Sequence, residues 1–309
     1  MTHVKLLYGR GELSVDLPET SDVTLIRKPK MPKLEDPTLA VESTLSSPTA
    51  STLLKNHAKN ARTACILICD ITRPVPNSLI LGPIIRRLMT LGVPLKHITV
   101  LIATGLHRPN EGTELEELIG DPWVLENVNV ENHFARDDSA HIEVGTTKKG
   151  NRILLDHRFV SADIKIVTGL VEPHFMAGYS GGRKVIAPGV AHAETITTFH
   201  SSRYMEDPLA ANCNLEGNPL HEDQLEIVEM VGGALAMNLV IDEFRNLSFI
   251  NFGEIVSSHL EAVAFIRKYA EVKVPRRFKT VLTSCAGHPL DLTYYQTVKG
   301  MVGPLDILD

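Results

Sequence analysis

Cysteine is scarce and scattered in this sequence: Cys65, Cys69, Cys213 and Cys285 are the only four in 309 residues, with no CxxC pair. That excludes a disulfide-stapled scaffold and a cysteine-built zinc site, and makes a reducing, cytoplasmic setting the expectation. Cys65 and Cys69 fall on one face of an apolar run, where cysteine serves as a small hydrophobe. Basic residues are not in excess. The formal charge of −6 argues against nucleic acid, and the one basic run, Arg27-Lys-Pro-Lys-Met-Pro-Lys33, is broken by prolines. No apolar run reaches the roughly 18–20 residues of a membrane span. The opening Met1-Thr-His-Val-Lys5 lacks the apolar core of a signal peptide, so no membrane partner is expected either. Internal repeats are absent as well. What remains, 43% hydrophobic and 22% charged, is the balance of a globular protein with ample core for one large or two ordinary domains.

The pattern along the chain is an alternation of short apolar runs and amphipathic stretches. Tyr8–Leu17 alternates like a hairpin or edge strand, and 18–48, rich in proline, serine and charge, reads as an extended connection into a helix over 50–59. From Ala64 the order is strand 64–69, helix 78–91, strand 98–102, a short acidic helix 113–119, then short strands over 128–134, 141–144 and 152–155. A strand at 164–171, helices at 191–202 and 222–231, strands at 237–241 and 247–252, and a long helix over 255–271 follow. Such alternation implies an α/β fold: a mainly parallel, Rossmann-like sheet with helices on both faces. Val272–Arg277 is the best linker. The expected division is a domain over 1–272 and, from a strand near Phe278, the beginning of a second α/β lobe over 273–309.

Chemistry-bearing residues cluster where these strands end. Cys69-Asp-Ile-Thr-Arg-Pro-Val-Pro76 follows the first parallel strand, and Ala103-Thr-Gly-Leu-His-Arg-Pro109 follows the second. Glu172-Pro-His-Phe-Met-Ala-Gly-Tyr-Ser-Gly-Gly-Arg-Lys184 follows the third, and Thr293–Gly300 lies downstream of the strand-like Thr280–Ser284. Ligands of open parallel sheets bind beyond the carboxyl ends of the strands. A glycine-rich turn between strand and helix also suits an anion, because backbone N–H groups can approach it. Any one of these residues alone would be a cap or a solvated charge; together they indicate a site.

Taken together, Asp70–Pro76, Ala103–Pro109, His174 with Ser180–Lys184, His200 and Tyr295–Gly300 resemble the nickel-pincer lactate racemase family, in its order and close to its spacing. The resemblance implies a racemase or epimerase of a 2-hydroxy acid that works by hydride transfer. It also implies the cofactor: nickel held by pyridinium-3,5-bisthiocarboxylic acid mononucleotide, tethered to Lys184, with His200 as the protein's metal ligand. His107 and His174 take the two general-base positions, one for each enantiomer, as their working pKa range suits. Arg73, Gln296 and Lys299 take substrate-binding positions, with Tyr295 lining the cleft. Arginine suits the carboxylate because its fork binds both oxygens. Asp70 orients a base or an arginine, or else caps the Arg-Pro turn. Thr104, Gly105, Ser180, Gly181, Gly182 and Arg183 are candidates for the mononucleotide phosphate. The implied partners are a small 2-hydroxy acid and the enzymes that make and load the cofactor, with a homodimer admitted as the assembly. The family continues beyond Gly300 through most of a C-terminal lobe, which is expected to be largely missing from this chain. A non-catalytic cofactor-binding paralogue or fragment is the alternative. A third reading, a metallohydrolase using His107, His174 and His200, has only Asp70 as a well-placed acid.

Overall fold

A computed structural model of the chain describes residues 1–309 except the side chain of Tyr295. The expectation that Tyr295 lines the cleft therefore lies outside the described residues. Six strands form the central sheet, in the spatial order Leu247–Glu254, Leu235–Ile241, Ile164–Leu170, Ala64–Cys69, Ile98–Ala103, Asn129–Asn132. Neighbours run parallel except the first pair, which is antiparallel. The expected α/β sheet with helices on both faces is what forms.

The two faces bury different sides of each strand, following the period of two. Ile66 and Ile68 point into one core with Ile80, Ile84 and Leu88 of the helix Asn77–Thr90. Cys65 and Leu67 point the other way, against Phe159, Ile186, Phe199 and Ile227. Because both faces are covered, the strand is a continuous apolar run rather than an alternating one. Each such side chain contributes about 1.5–3 kcal/mol on leaving water, which fixes the strands and so the positions of their ends.

Three segments differ from the sequence expectation. The stretch read as extended contains a helix, Pro37–Ser46, started by the Asp36 carboxylate accepting from Leu39 N at 2.9 Å and by Pro37 in the first turn. Only Val41 and Leu45 of that helix are buried, so its apolar stripe is too thin to stand out. The expected helix over 50–59 shrinks to one turn, Leu54–His57. No strand forms over 278–284 among the described residues; Phe278 makes a single bridge to Leu308. The hairpin is real, but its first arm is Thr2–Tyr8, paired with Gly11–Leu17. The last residues dock onto its turn, with Gly9 N donating to Asp291 Oδ2 at 2.6 Å and His288 N to Gly9 O at 2.8 Å. This carries the helix Tyr294–Val302, capped by Thr293, back toward the sheet. Among the described residues no helix is long and apolar enough to cross a membrane.

Candidate active site

Parallel strands place their carboxyl ends on one edge, and there the Asp70 and His107 loops meet. Asp70 is 5% exposed. Its Oδ1 accepts from the Thr72 hydroxyl at 2.7 Å, and its Oδ2 lies 2.5 Å from His107 Nδ1. Burial alone would raise this carboxyl, but the His107 bond and charge, the Thr72 hydroxyl and Arg73 outweigh it and hold it below its ordinary value. An ionised carboxylate on Nδ1 selects the Nδ1–H tautomer, so the ring's lone pair is on Nε2. Arg73 extends from the same turn, with Nη1 donating to Thr72 O at 3.0 Å and Nε 3.6 Å from Glu172 Oε1. Arg108, next to His107, turns outward instead and forks onto Glu114 at 2.8 and 2.6 Å.

The third loop is shaped by close approach. At Gly178, with φ +74°, a Cβ would stand 2.1 Å from Asn214 O, so no other residue fits without moving backbone. His174 sits on the small hairpin this permits, pairing opposite Gly178. Its Nδ1 accepts from Met176 N and Ala177 N, each at 3.2 Å, which puts the ring proton of the neutral form on Nε2. Burial, then Lys184, Lys299 and Arg73, push its pKa well below the ordinary histidine value. The two histidines are thus wired oppositely: His107 carries its lone pair on Nε2, His174 its proton.

Lys184 is half-buried as a residue, and desolvation of its amine, followed by the Arg73 charge, pulls its ammonium down to about 8. Lys299 reaches the same place from the helix Tyr294–Val302, pulled down to about 7 by burial, Arg73 and Lys184, with Glu172 and Asp70 opposing. His200 caps the helix Ala193–Phe199 and donates from Nδ1 to Ile196 O at 2.8 Å, leaving its lone pair on Nε2. Burial lowers its pKa, as do Lys184 and Lys299. Gln296, 4% exposed, has no partner for Nε2 among the described residues. Arg73, His174, Lys184, His200 and Lys299 therefore share one electrostatic environment, with Asp70 and Glu172 as its carboxylates. Glu172 opens the third motif but was assigned no role from sequence; its signal was its place directly after a buried strand.

Three of the side chains proposed for the mononucleotide phosphate, Thr104, Ser180 and Arg183, bond inside the protein. Arg183 is 1% exposed, and its guanidinium turns into the core. Nε donates to His221 Nδ1 at 2.7 Å, Nη2 to Ala177 O at 2.9 Å, and Nη1 lies 2.9 Å from His259 Nε2. That His259 nitrogen is also 2.9 Å from Ser180 O, so its tautomer decides whether it accepts from the arginine or donates to the carbonyl. The Ser180 hydroxyl donates to Leu170 O at 2.8 Å and that of Thr104 to His133 O at 2.6 Å, so both are committed inside the protein. Gly105 N donates to Gly189 O at 2.9 Å. Gly181 and Gly182 serve packing, since a Cβ there would meet Val171 at 2.7 Å and His259 at 3.0 Å. The helix after them, Arg183–Ile186, is a single turn in which Lys184 N and Val185 N donate to Gly181 O and Gly182 O.

Comparison with known proteins gives this geometry a context. The profile of a family described as lactate racemase N-terminal domain matches residues 8–212. The chain is 31% identical over 305 residues to a lactate racemase of Thermoanaerobacterium thermosaccharolyticum, covering 97% of this chain and 70% of that protein. It is 33% identical over 261 residues to a lactate racemase of Lactiplantibacillus plantarum, covering 84% of this chain and 61% of that protein. Its fold is similar to that of the lactate racemase apoprotein from T. thermosaccharolyticum, with TM-score 0.90 and 30% identity, covering 100% of this chain and 72% of that one. A Thermotoga maritima protein shares the fold at TM-score 0.66 and 20% identity, over 78% of this chain and 61% of that one. The chain belongs to the lactate racemase family.

Proposed function

We propose that the chain interconverts the stereoisomers of a lactate-like 2-hydroxy acid, with a nickel-pincer nucleotide attached to Lys184. The observation that carries this reading is a largely buried lysine amine, held partly neutral, beside two oppositely wired histidines and the Arg73 fork. Residues 1–272 form the cofactor-binding part in this reading, and 273–309 begin a second lobe that brings Gln296 and Lys299 to the substrate.

The residues fit the implied group. Lys184 must react as the neutral amine, and a pKa of about 8 keeps a useful fraction in that form. His200 has the tautomer a metal ligand needs, Nδ1–H on a carbonyl and lone pair on Nε2. Among the described residues no group of three or more histidine, cysteine or acidic side chains could hold a metal unaided, so nickel here would draw its other ligands from the nucleotide. When bound, the group supplies a hydride acceptor and donor for carbon 2 of the substrate.

Everything else falls to the chain's own side chains. Arg73 and Lys299 hold the substrate carboxylate, and the Gln296 amide donates to a second oxygen. His107, oriented by Asp70, accepts the hydroxyl proton at Nε2 for one enantiomer. The other enantiomer presents its hydroxyl on the opposite side, so a second base is needed, and His174 is placed for it. Burial first, and then the charges of Lys184, Lys299 and Arg73, keep its proton affinity low. Acylation removes the first of these charges and the substrate carboxylate offsets the others, so His174 gains base strength when the site is loaded. It must then release the Met176 and Ala177 N–H groups.

The test is chiral analysis of lactate incubated with chain matured by cofactor-synthesis enzymes. Interconversion should be lost in both directions in His107→Ala and in His174→Ala. A variant that keeps interconverting would remove its histidine from the base role.

A further inference from the structure

The lone pair of His174 is occupied from behind, and the groups that occupy it are themselves held. Its Nδ1 accepts from Met176 N and Ala177 N, each at 3.2 Å, and Phe175 stacks on its face with ring centroids 5.1 Å apart. The Ala177 N–H belongs to the peptide whose carbonyl is Met176 O, and that oxygen accepts from Asn218 Nδ2 at 2.8 Å. In a planar trans peptide the carbonyl and the N–H point in opposite directions, so an amide held at its oxygen aims its N–H. Asn218 is wholly buried and caps the helix Pro219–Met230. Its Oδ1 accepts from Leu220 N and His221 N, each at 3.1 Å, and its Nδ2 also donates to Asn214 O at 3.0 Å. Both acceptor sites and both hydrogens of the amide are used, which allows it one orientation. The same stretch seats the end of the turn, as Cys213 N donates to Gly178 O at 3.0 Å. Arg183 adds a second tie between this helix and the turn, bonding His221 Nδ1 at 2.7 Å and Ala177 O at 2.9 Å.

We propose that Asn218 is a positioning residue for His174, fixing the 176–177 peptide so that the ring carries its proton on Nε2. The inference rests on the base role given to His174 above and names what sets that ring before a substrate enters. Being wholly buried, Asn218 acts only through two bonds in series, Nδ2 to Met176 O and Ala177 N to His174 Nδ1. Capping the helix accounts for its oxygen alone; both amide hydrogens are spent outside the helix, one of them on the histidine turn. Without that hydrogen the 176–177 peptide can rotate, the Nδ1 lone pair loses a donor, and the second tautomer of the ring becomes available.

The experiment is nitrogen-15 NMR of the histidine-labelled 309-residue chain at pH 7.5, where burial and the surrounding cations keep His174 neutral. Wild type is compared with Asn218→Ser and Asn218→Asp, and the resonances are assigned with His174→Ala and His107→Ala. Serine keeps the helix cap but lacks the amide, and aspartate keeps cap and shape but sets an oxygen against Met176 O. In wild type, His174 should show a protonated Nε2 and an unprotonated, hydrogen-bonded Nδ1. In both variants the ratio of Nε2–H to Nδ1–H tautomers should fall about tenfold, the change one hydrogen bond makes. His107, bonded to Asp70, should keep its signals, which marks the change as local. If the serine variant does not fold, the aspartate variant decides. In matured protein, kcat for lactate interconversion should fall about tenfold with KM little changed. Unmoved His174 resonances in the variants overturn the inference and leave the base role standing. His174 and His107 signals moving together, or neither variant folding, would make Asn218 a structural residue only and overturn it as well. Displaced His174 resonances with full interconversion would take the base role from His174, and the inference with it.

Discussion

The Lys184 amine should be far more reactive than an exposed lysine, and Arg73 should be part of the reason. At pH 7.5 a lysine with pKa about 8 is roughly one quarter neutral, whereas one at 10.5 is neutral in roughly one part per thousand. Lys184 should therefore be acylated roughly a hundredfold faster than an exposed lysine by a small amine-directed reagent that can enter the cleft. Burial is the larger cause of the shift and the Arg73 charge the next. Replacing Arg73 by glutamine removes the second cause and keeps the first. At the effective dielectric of a protein site, one such charge is worth on the order of one pKa unit. The labelling rate at pH 7.5 should then fall about tenfold, and its pH midpoint should move up by about one unit. The assay is time-resolved labelling of the unloaded protein, with the Lys184 peptide quantified by mass spectrometry across pH 6–10. A Lys184 midpoint near 10.5 in the wild type would refute the burial argument. A lowered midpoint that does not move in Arg73→Gln would refute the assigned role of the arginine.

Three further outcomes follow from the same geometry. Asp70→Asn removes the carboxylate that selects the Nδ1–H tautomer of His107, so turnover by matured protein should fall about 10²–10⁴-fold with little change in KM. Gly178→Ala forces a Cβ to 2.1 Å from Asn214 O at φ +74°, and should cost about 3 kcal/mol or more, read as a Tm drop of roughly 10 °C. Acid should unfold the protein well before its carboxylates are protonated. The His221 pKa lies at about 3 in the fold, through burial and Arg183, against an ordinary 6.5. The unfolded chain therefore takes up a proton between those values that the native state refuses. That stability is intact above pH 6.5 and is lost as pH falls, at up to about 1.4 kcal/mol per unit for each such histidine. Denaturant melts at pH 6.5 and pH 4.5 should differ by roughly 2–5 kcal/mol, and His221→Asn should flatten the dependence.

Which parts of this were legible in the sequence depends on the range of the forces involved. The sheet was, because strands buried on both faces announce themselves as apolar runs such as Ala64–Cys69 and Ile164–Leu170. The helix Pro37–Ser46 was not, since two buried side chains make no visible stripe and its Asp-Pro start looked like loop composition. Placing Asp70, His107, His174 and Lys184 together required only that the strands be parallel. What each group does with its hydrogens required contacts between distant residues. Asp70 bonds His107 because a loop 37 residues later returns to it, a contact that fits the orienting reading of its two sequence readings. Arg183 went the other way. Beside a lysine and two glycines it read as a phosphate ligand, but His221 and His259, remote in sequence, draw it into the core. Glycines at 181 and 182 look the same in sequence whether a phosphate or a neighbouring side chain demands the space, and here a Cβ at either would meet a side chain, Val171 or His259.

The central claim is that Lys184 carries the cofactor and that the chain's own side chains then run a racemisation. The most direct measurement is the mass of the Lys184 peptide from protein matured by cofactor-synthesis enzymes, taken beside the lactate interconversion rate of the same sample. A modified Lys184 peptide, absent from Lys184→Ala and accompanied by interconversion, is the predicted result. An unmodified Lys184 peptide in matured protein that racemises lactate would contradict the account.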